Sequence, residues 1–165
     1  MLFRSRVYGK WKVIAFTEDE RSYTRNINFR GAIGAGAERI LVKTSTVKLS
    51  VSEAILPEYY WSKSNDVNNN FTIRSSSRLK FELNVKSITA SSVTLFQPSI
   101  FSDRKTNFAD NLNLRSTNTV SIKVHNHYSV GLIYTISYQG YPHFVNSSVS
   151  PTQENLSILV TYYIK

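Results

Sequence analysis

Five runs of this chain alternate apolar and polar residues with a period of two, and that period limits what the chain can fold into. In LKFELNVKSI, Leu79, Phe81, Leu83 and Val85 fall on one side and Lys80, Glu82, Asn84 and Lys86 on the other. TVSIKVHNHY repeats the pattern with Val120, Ile122 and Val124. SVGLIYTISYQG repeats it with Val130, Leu132, Tyr134, Ile136 and Tyr138, and NLSILVTYYIK with Leu156, Ile158, Val160, Tyr162 and Ile164. TVKLSVS does so on a shorter scale with Val47, Leu49 and Val51. Successive side chains of a strand point to opposite faces, so this is the signature of antiparallel strands with one apolar and one polar face. No run carries the 3.6 period of a three-turn amphipathic helix.

The punctuation agrees. KSNDVNNN, QPSIFSDRKTN and QGYPHFVNSSVSPTQEN are rich in Asn, Ser, Asp, Pro and Gly, the residues of turns and loops. They bound eight to ten strand-like runs, with room for short helical turns near 52–60 and 103–112. No internal repeat or domain boundary interrupts the 165 residues, which suit a single domain over residues 1–165. The expected fold is all-β: an antiparallel two-sheet β-sandwich, jelly-roll-like, with an immunoglobulin-like sandwich or a closed β-barrel as alternatives. In a sandwich, Leu79, Phe81, Val120, Ile122, Leu132, Ile136, Ile158 and Val160 supply the core between the sheets.

GAIGAGAER, residues Gly31 to Arg39, is the one glycine-rich stretch. A phosphate-binding loop ends in Gly-Lys-Ser/Thr, but here Gly36 is followed by Ala37 and Glu38. The dinucleotide fingerprint needs G-x-G-x-x-G before a helix, whereas this stretch has the reverse spacing and runs into the strand-like RILVKT. It therefore reads as a flexible connection, or as a small-residue segment ordered by a neighbouring chain. His125 and His127 share a strand face, but neither His143 nor Asp110 is held near them by the sequence, so no metal site is expected. No nucleophile elbow or zinc-protease motif occurs, and Glu18, Asp19 and Glu20 resemble a solvated hairpin tip. No enzyme and no cofactor are expected.

Twenty Lys and Arg face eleven Asp and Glu, for a net charge of +9. Residues 1–48 hold ten basic against four acidic residues, a net of +6. Such an excess favours a polyanionic partner. FRSRVYGKWK interleaves Arg4, Arg6, Lys10 and Lys12 with Phe3, Tyr8 and Trp11, and Arg21, Arg25 and Arg30 follow. These seven cations are the candidate nucleic-acid contacts, through phosphate neutralisation and base stacking. Tyr59, Tyr60 and Trp61, after Pro57, are the candidate assembly interface, because aromatic residues in loops concentrate at interface cores.

There is no cysteine, which excludes a disulfide scaffold and thiolate chemistry. Lys10 and Lys12 interrupt the apolar stretch that a signal peptide would need, and no run approaches the about 20 apolar residues of a spanning helix. Synthesis in the cytoplasm and no membrane insertion are expected. In composition and strand pattern the chain resembles small single-jelly-roll viral coat proteins, although it lacks their longer polybasic arm. The resemblance implies a self-assembling virion structural protein, such as a capsid component, partnered by its own copies or other virion proteins and located in the virion. A nucleic-acid-binding β module and an adhesin- or pilus-like sandwich are the alternatives.

Overall fold

The computed structural model describes residues 2–8, 10–22, 27–62, 70–102, 108–125, 127–140 and 150–162. Ten strands account for nearly all of them: β1 (Leu2–Tyr8), β2 (Trp11–Ser22), β3 (Ile27–Lys43), β4 (Val47–Ser62), β5 (Asn70–Val85), β6 (Ile88–Gln97), β7 (Ser99–Ser102), β8 (Asn113–His125), β9 (Tyr128–Gln139) and β10 (Thr152–Tyr162). The only described helical element among them is a single 3-10 turn, Ala109–Asn111.

Every pairing is antiparallel, and the strands follow sequence order across one open sheet, β1-β2-β3-β4-β5-β6-β8-β9-β10. β7 prolongs β6 along β5 after an interruption at Pro98, with Ile73 opposite Phe101. The all-β antiparallel expectation holds. The described strands form one sheet, so no second sheet faces it as a sandwich or jelly roll requires.

The glycine stretch lies inside β3, which corrects the expectation of a flexible connection. Its residues pair on both sides, Gly36 with Ile14 on β2 and with Ala54 on β4. A Cβ on Gly36 would sit 2.0 Å from the Glu53 carbonyl oxygen and 2.5 Å from the Ala54 Cα. Backbone approaches the position that closely only because glycine has no side chain. At Gly34 a Cβ would meet the Phe16 ring at 2.4 Å, so the ring lies over the glycine and covers its bare backbone.

The small residues decide which way the sheet curls. Ala32, Gly34 and Gly36 share a face with Ser50, Ser52 and Ala54 of β4 and with Ser76 of β5. Bulky residues occupy the opposite face. A curved sheet has less room on its concave side, so it bends toward the small residues. The curl brings β2 and β6, with three strands between them, around one cavity of about 340 Å³ lined by Ile14, Phe16, Ala54, Val93 and Leu95, among others.

The curl also inverts the expected core. Leu79, Val120, Ile122, Leu132, Ile158 and Val160 lie on the convex face, and Leu132 is 53% and Ile158 74% exposed. The buried apolar residues are few, chiefly Ile14, Ala54 and Leu56 with Phe16 against them. Alternation had correctly grouped the bulky residues on one face. It does not say whether that face is inside.

Strand stagger adds to the curl. Straight across the sheet, Trp11 lies level with Arg39, Val51, Leu79, Thr94 and Ser116 in turn. Trp11 adjoins the β1–β2 turn, but Ser116 lies ten residues before the β8–β9 turn. From the first of these hairpins to the last, the line of turns slides about nine residues, about 30 Å, over six strand spacings, about 29 Å. The strands therefore lie roughly 45° from the line of turns, close to the tilt of strands in a barrel wall.

Gly36→Ala is expected to destabilise the fold by about 1–3 kcal/mol, the cost of overpacking against a backbone that cannot yield. Gly34→Ala is expected to cost less, because the Phe16 ring can swing aside. Urea unfolding followed by circular dichroism checks the order. Equal effects, or a larger one at Gly34, would mean that the β3–β4 approach does not set the curl.

Candidate functional site

The concave face holds one buried charge cluster. Arg30 on β3, Glu58 on β4 and Arg74 on β5 occupy neighbouring positions on that face, fixed by the pairings of Ala32 with Glu58 and of Leu56 with Arg74. Arg30 donates from Nε (2.8 Å) and Nη2 (2.6 Å) to Glu58 Oε2. Arg74 donates from Nε to Glu58 Oε1 at 3.2 Å. Each carboxylate oxygen thus serves a different guanidinium. Arg74 is fully buried, and its Nη1 also donates to the carbonyl oxygens of Gln97 (3.4 Å) and Asn111. Asn111 ends the helical turn, so Arg74 draws the β7–β8 connection inward. Arg30 also reaches Glu18 on β2 at 3.5 Å. The cluster joins β2, β3, β4, β5 and the connection before β8 at the end of the sheet that carries the longer loops.

Burying three charges is tolerable only with this degree of pairing. Removing Glu58 would leave two buried guanidiniums facing each other. Glu58→Ala is expected to cost about 3–5 kcal/mol, whereas Glu154→Ala, at an exposed position, should stay within about 0.5 kcal/mol. Chemical denaturation of both variants measures the difference, and similar small effects would show that the cluster does not hold the curl.

Sequence reasoning missed Glu58 and Arg74. The available signal was TIRSSSR, in which Arg74, Ser76 and Arg78 alternate with residues of the bulky face. That pattern by itself gave no reason to single out Arg74.

The predicted nucleic-acid residues do not form one surface. Arg30 is 7% exposed and held by carboxylates, so it is not a phosphate contact; the sequence gives no sign of its partner Glu58. Lys10 sits in the β1–β2 turn and Arg21 eleven residues away near the far end of β2, about 35 Å along an extended strand. Lys12 lies on the concave side, opposite Glu38. Arg4 and Arg6 belong to β1, but their side chains, and all of Arg25, lie outside what is described.

The aromatic trio is split by the strand period. Tyr59 and Trp61 are exposed on the convex face, at 42% and 52%, while Tyr60 is buried on the concave face. They end β4 and are not in a loop. Likewise Glu18, Asp19 and Glu20 lie within β2 and not at a hairpin tip. His125 and His127 have ring centroids 5.7 Å apart and sit beside Tyr128 and Tyr162, which are 5.0 Å from each other. His143 is outside the described residues, and among those described no group of three His, Asp or Glu is placed to hold a metal.

The convex face is the largest feature of the molecule. Exposed Val, Ile and Leu run from β2 to β10 through its middle, for example Val13, Ile33, Ile55, Leu79, Leu132 and Ile158. Aromatic residues gather toward both margins. Trp11, Tyr128 and Tyr162 lie near the short turns, with Arg39 5.3 Å from the centre of the Trp11 ring. Tyr59, Trp61, Phe71 and Phe101 lie near the longer loops. Polar groups on this face bond to one another. Glu53 accepts from Ser75 and from Ser77 (2.6 Å), and Ser92, Asn118, Ser116 and Thr94 form a chain of hydrogen bonds of 2.8–3.2 Å.

The connections alternate in length. At one end, β1–β2, β3–β4, β5–β6 and β8–β9 are joined by two or three residues. At the other, β2–β3 takes four, β4–β5 seven and β9–β10 twelve, and β7 with the helical turn fills the route from β6 to β8.

No protein-family model matches this chain, and neither a curated protein nor a solved structure does.

Proposed function

We propose that this chain forms part of the wall of a β-barrel that crosses a lipid bilayer, with the convex face toward the acyl chains and the charged concave face toward the lumen. One observation carries the proposal: an antiparallel meander whose bulky apolar residues are exposed on the outside of the curl while most of its charged residues, among them the buried Arg30–Glu58–Arg74 cluster, lie on the inside. A soluble monomer rarely exposes an apolar patch beyond a few hundred Å², and this one extends over most of the strands. Membrane barrels alternate apolar-out and polar-in, and have short turns at one end and longer loops at the other.

Dimensions support the reading. At a 45° tilt, the 12 residues of β9 rise about 28 Å, close to the thickness of a hydrocarbon core. Aromatic residues toward both margins match the girdles that sit at the two interfaces. The hydrogen-bonded pairing of Glu53 with serines, and of Asn118 with its neighbours, meets the need for polar groups in lipid to find partners within the protein. No described helix is long and apolar enough to cross a membrane. The expectation of no membrane insertion rested on the same helix-length test, which does not bear on strands.

Self-assembly is a second reading, favoured by the sheet edges. Nine strands lie in the path, so β1 and β10 point the same way at opposite edges. Antiparallel closure then takes an odd number of further strands, and other copies of the chain are one source. A coat-like shell of copies uses the same edges but leaves the apolar face to be covered by protein. The nucleic-acid role has less support, because Arg30 is engaged and Lys10 and Arg21 lie far apart.

The chain should fold in phosphatidylcholine vesicles, float with them through a density gradient and resist alkaline extraction. Leu132→Lys should cost up to about 2–4 kcal/mol in vesicles, the penalty for Lys on a lipid face near the bilayer midplane. Folded β-structure in detergent-free buffer, no flotation, and a Leu132→Lys change within about 0.5 kcal/mol would overturn the membrane reading. A soluble particle of many copies in that buffer would establish the assembly reading instead.

A further inference from the structure

We infer that the concave cavity binds a small single-chain amphiphile with an anionic head, of the fatty-acid class. The inference does not rest on what covers the convex face. The cavity, about 340 Å³, falls in the lower part of the range of small-molecule sites. It is an apolar hollow in a concave face otherwise rich in Ser, Thr, Arg and Lys, because Ile14, Phe16, Ala54, Val93 and Leu95 converge on it.

Much of its polar lining is committed elsewhere. Glu18 reaches Arg30, and Gln97 donates to Ser76 at 3.1 Å. The guanidinium of Arg78, also on the wall, has no hydrogen bond or ion pair to any described residue. The other charged residues of this face of β5 do have partners: Arg74 holds Glu58, and Lys80 holds Glu82 at 2.5 Å. A lone guanidinium beside an apolar hollow suits a ligand that brings a carboxylate to the arginine and a hydrocarbon chain to the hollow. An inorganic anion would leave the apolar wall unused, and a neutral or cationic chain would leave the arginine without a counter-charge.

Octanoate, added below its micelle concentration, tests this by isothermal titration into the full chain folded in a neutral detergent, with the detergent alone as blank. One saturable site is expected. Affinity should fall at least tenfold in Arg78→Gln, in which the charge is lost, and in Val93→Trp, in which the hollow is filled. Octyltrimethylammonium should not compete. Ile14→Trp serves as the filling variant if circular dichroism shows that Val93→Trp does not fold. Absence of a saturable site overturns the inference, as does equal competition by octyltrimethylammonium. Octanoate binding unchanged in both variants also overturns it, and assigns the uptake to the apolar convex face.

Discussion

The structure depends on a backbone approach that only glycine permits. Gly36 meets the Glu53 carbonyl and Ala54 where any Cβ would collide. With Gly34 beneath the Phe16 ring and Ala32, Ser50 and Ser52 nearby, the middle of β3 and β4 presents little bulk on one side. The sheet bends that way because this middle section can carry large side chains only on the other. Curl direction, the buried charge cluster, the cavity and the exposed apolar face all follow from that asymmetry of size.

The interior that results is unusual in its chemistry. A concave face narrow enough to bury side chains, but poor in large apolar ones, is filled by Arg30, Glu58, Tyr60, Thr72 and Arg74. Two guanidiniums share one carboxylate, and each oxygen of Glu58 serves a different arginine. The cluster also has a positional role. Arg74 reaches the carbonyls of Gln97 and Asn111, and so ties the segment after β6 to the inside of the curl.

The exterior follows from the same partition. Large apolar residues predominate on the convex side, and the polar groups among them, Glu53 with its serines and Ser92 with Asn118, are bonded laterally along or across neighbouring strands. An aqueous setting would let those groups turn to water. Their mutual pairing, the tilt of the strands and the one-sided lengthening of the loops are consistent with one another, and all three are features of a wall built between two interfaces.

The sequence by itself determined the local structure. The period of two marked β5, β8, β9, β10 and part of β4, and the Asn-, Ser- and Pro-rich clusters marked the long connections, because both depend on neighbours within a few residues. It also grouped Leu79, Val120, Leu132 and Ile158 on a common face. Which face lies inside was a tertiary decision. Alternation is symmetric with respect to the two sides of a sheet, and the sign of the curl comes from strands meeting across Gly34, Gly36 and Ala54, residues distant in sequence or silent in hydropathy. For the same reason GAIGAGAER read as a linker until its backbone met β2 and β4, and Arg30 read as a surface cation until β4 brought Glu58 beside it. The split of Tyr60 from Tyr59 and Trp61 was implicit in the period, but only once that segment is known to be strand. The stagger that tilts the strands was beyond the sequence altogether, because register between strands is fixed by pairing over the whole sheet and not by any one segment.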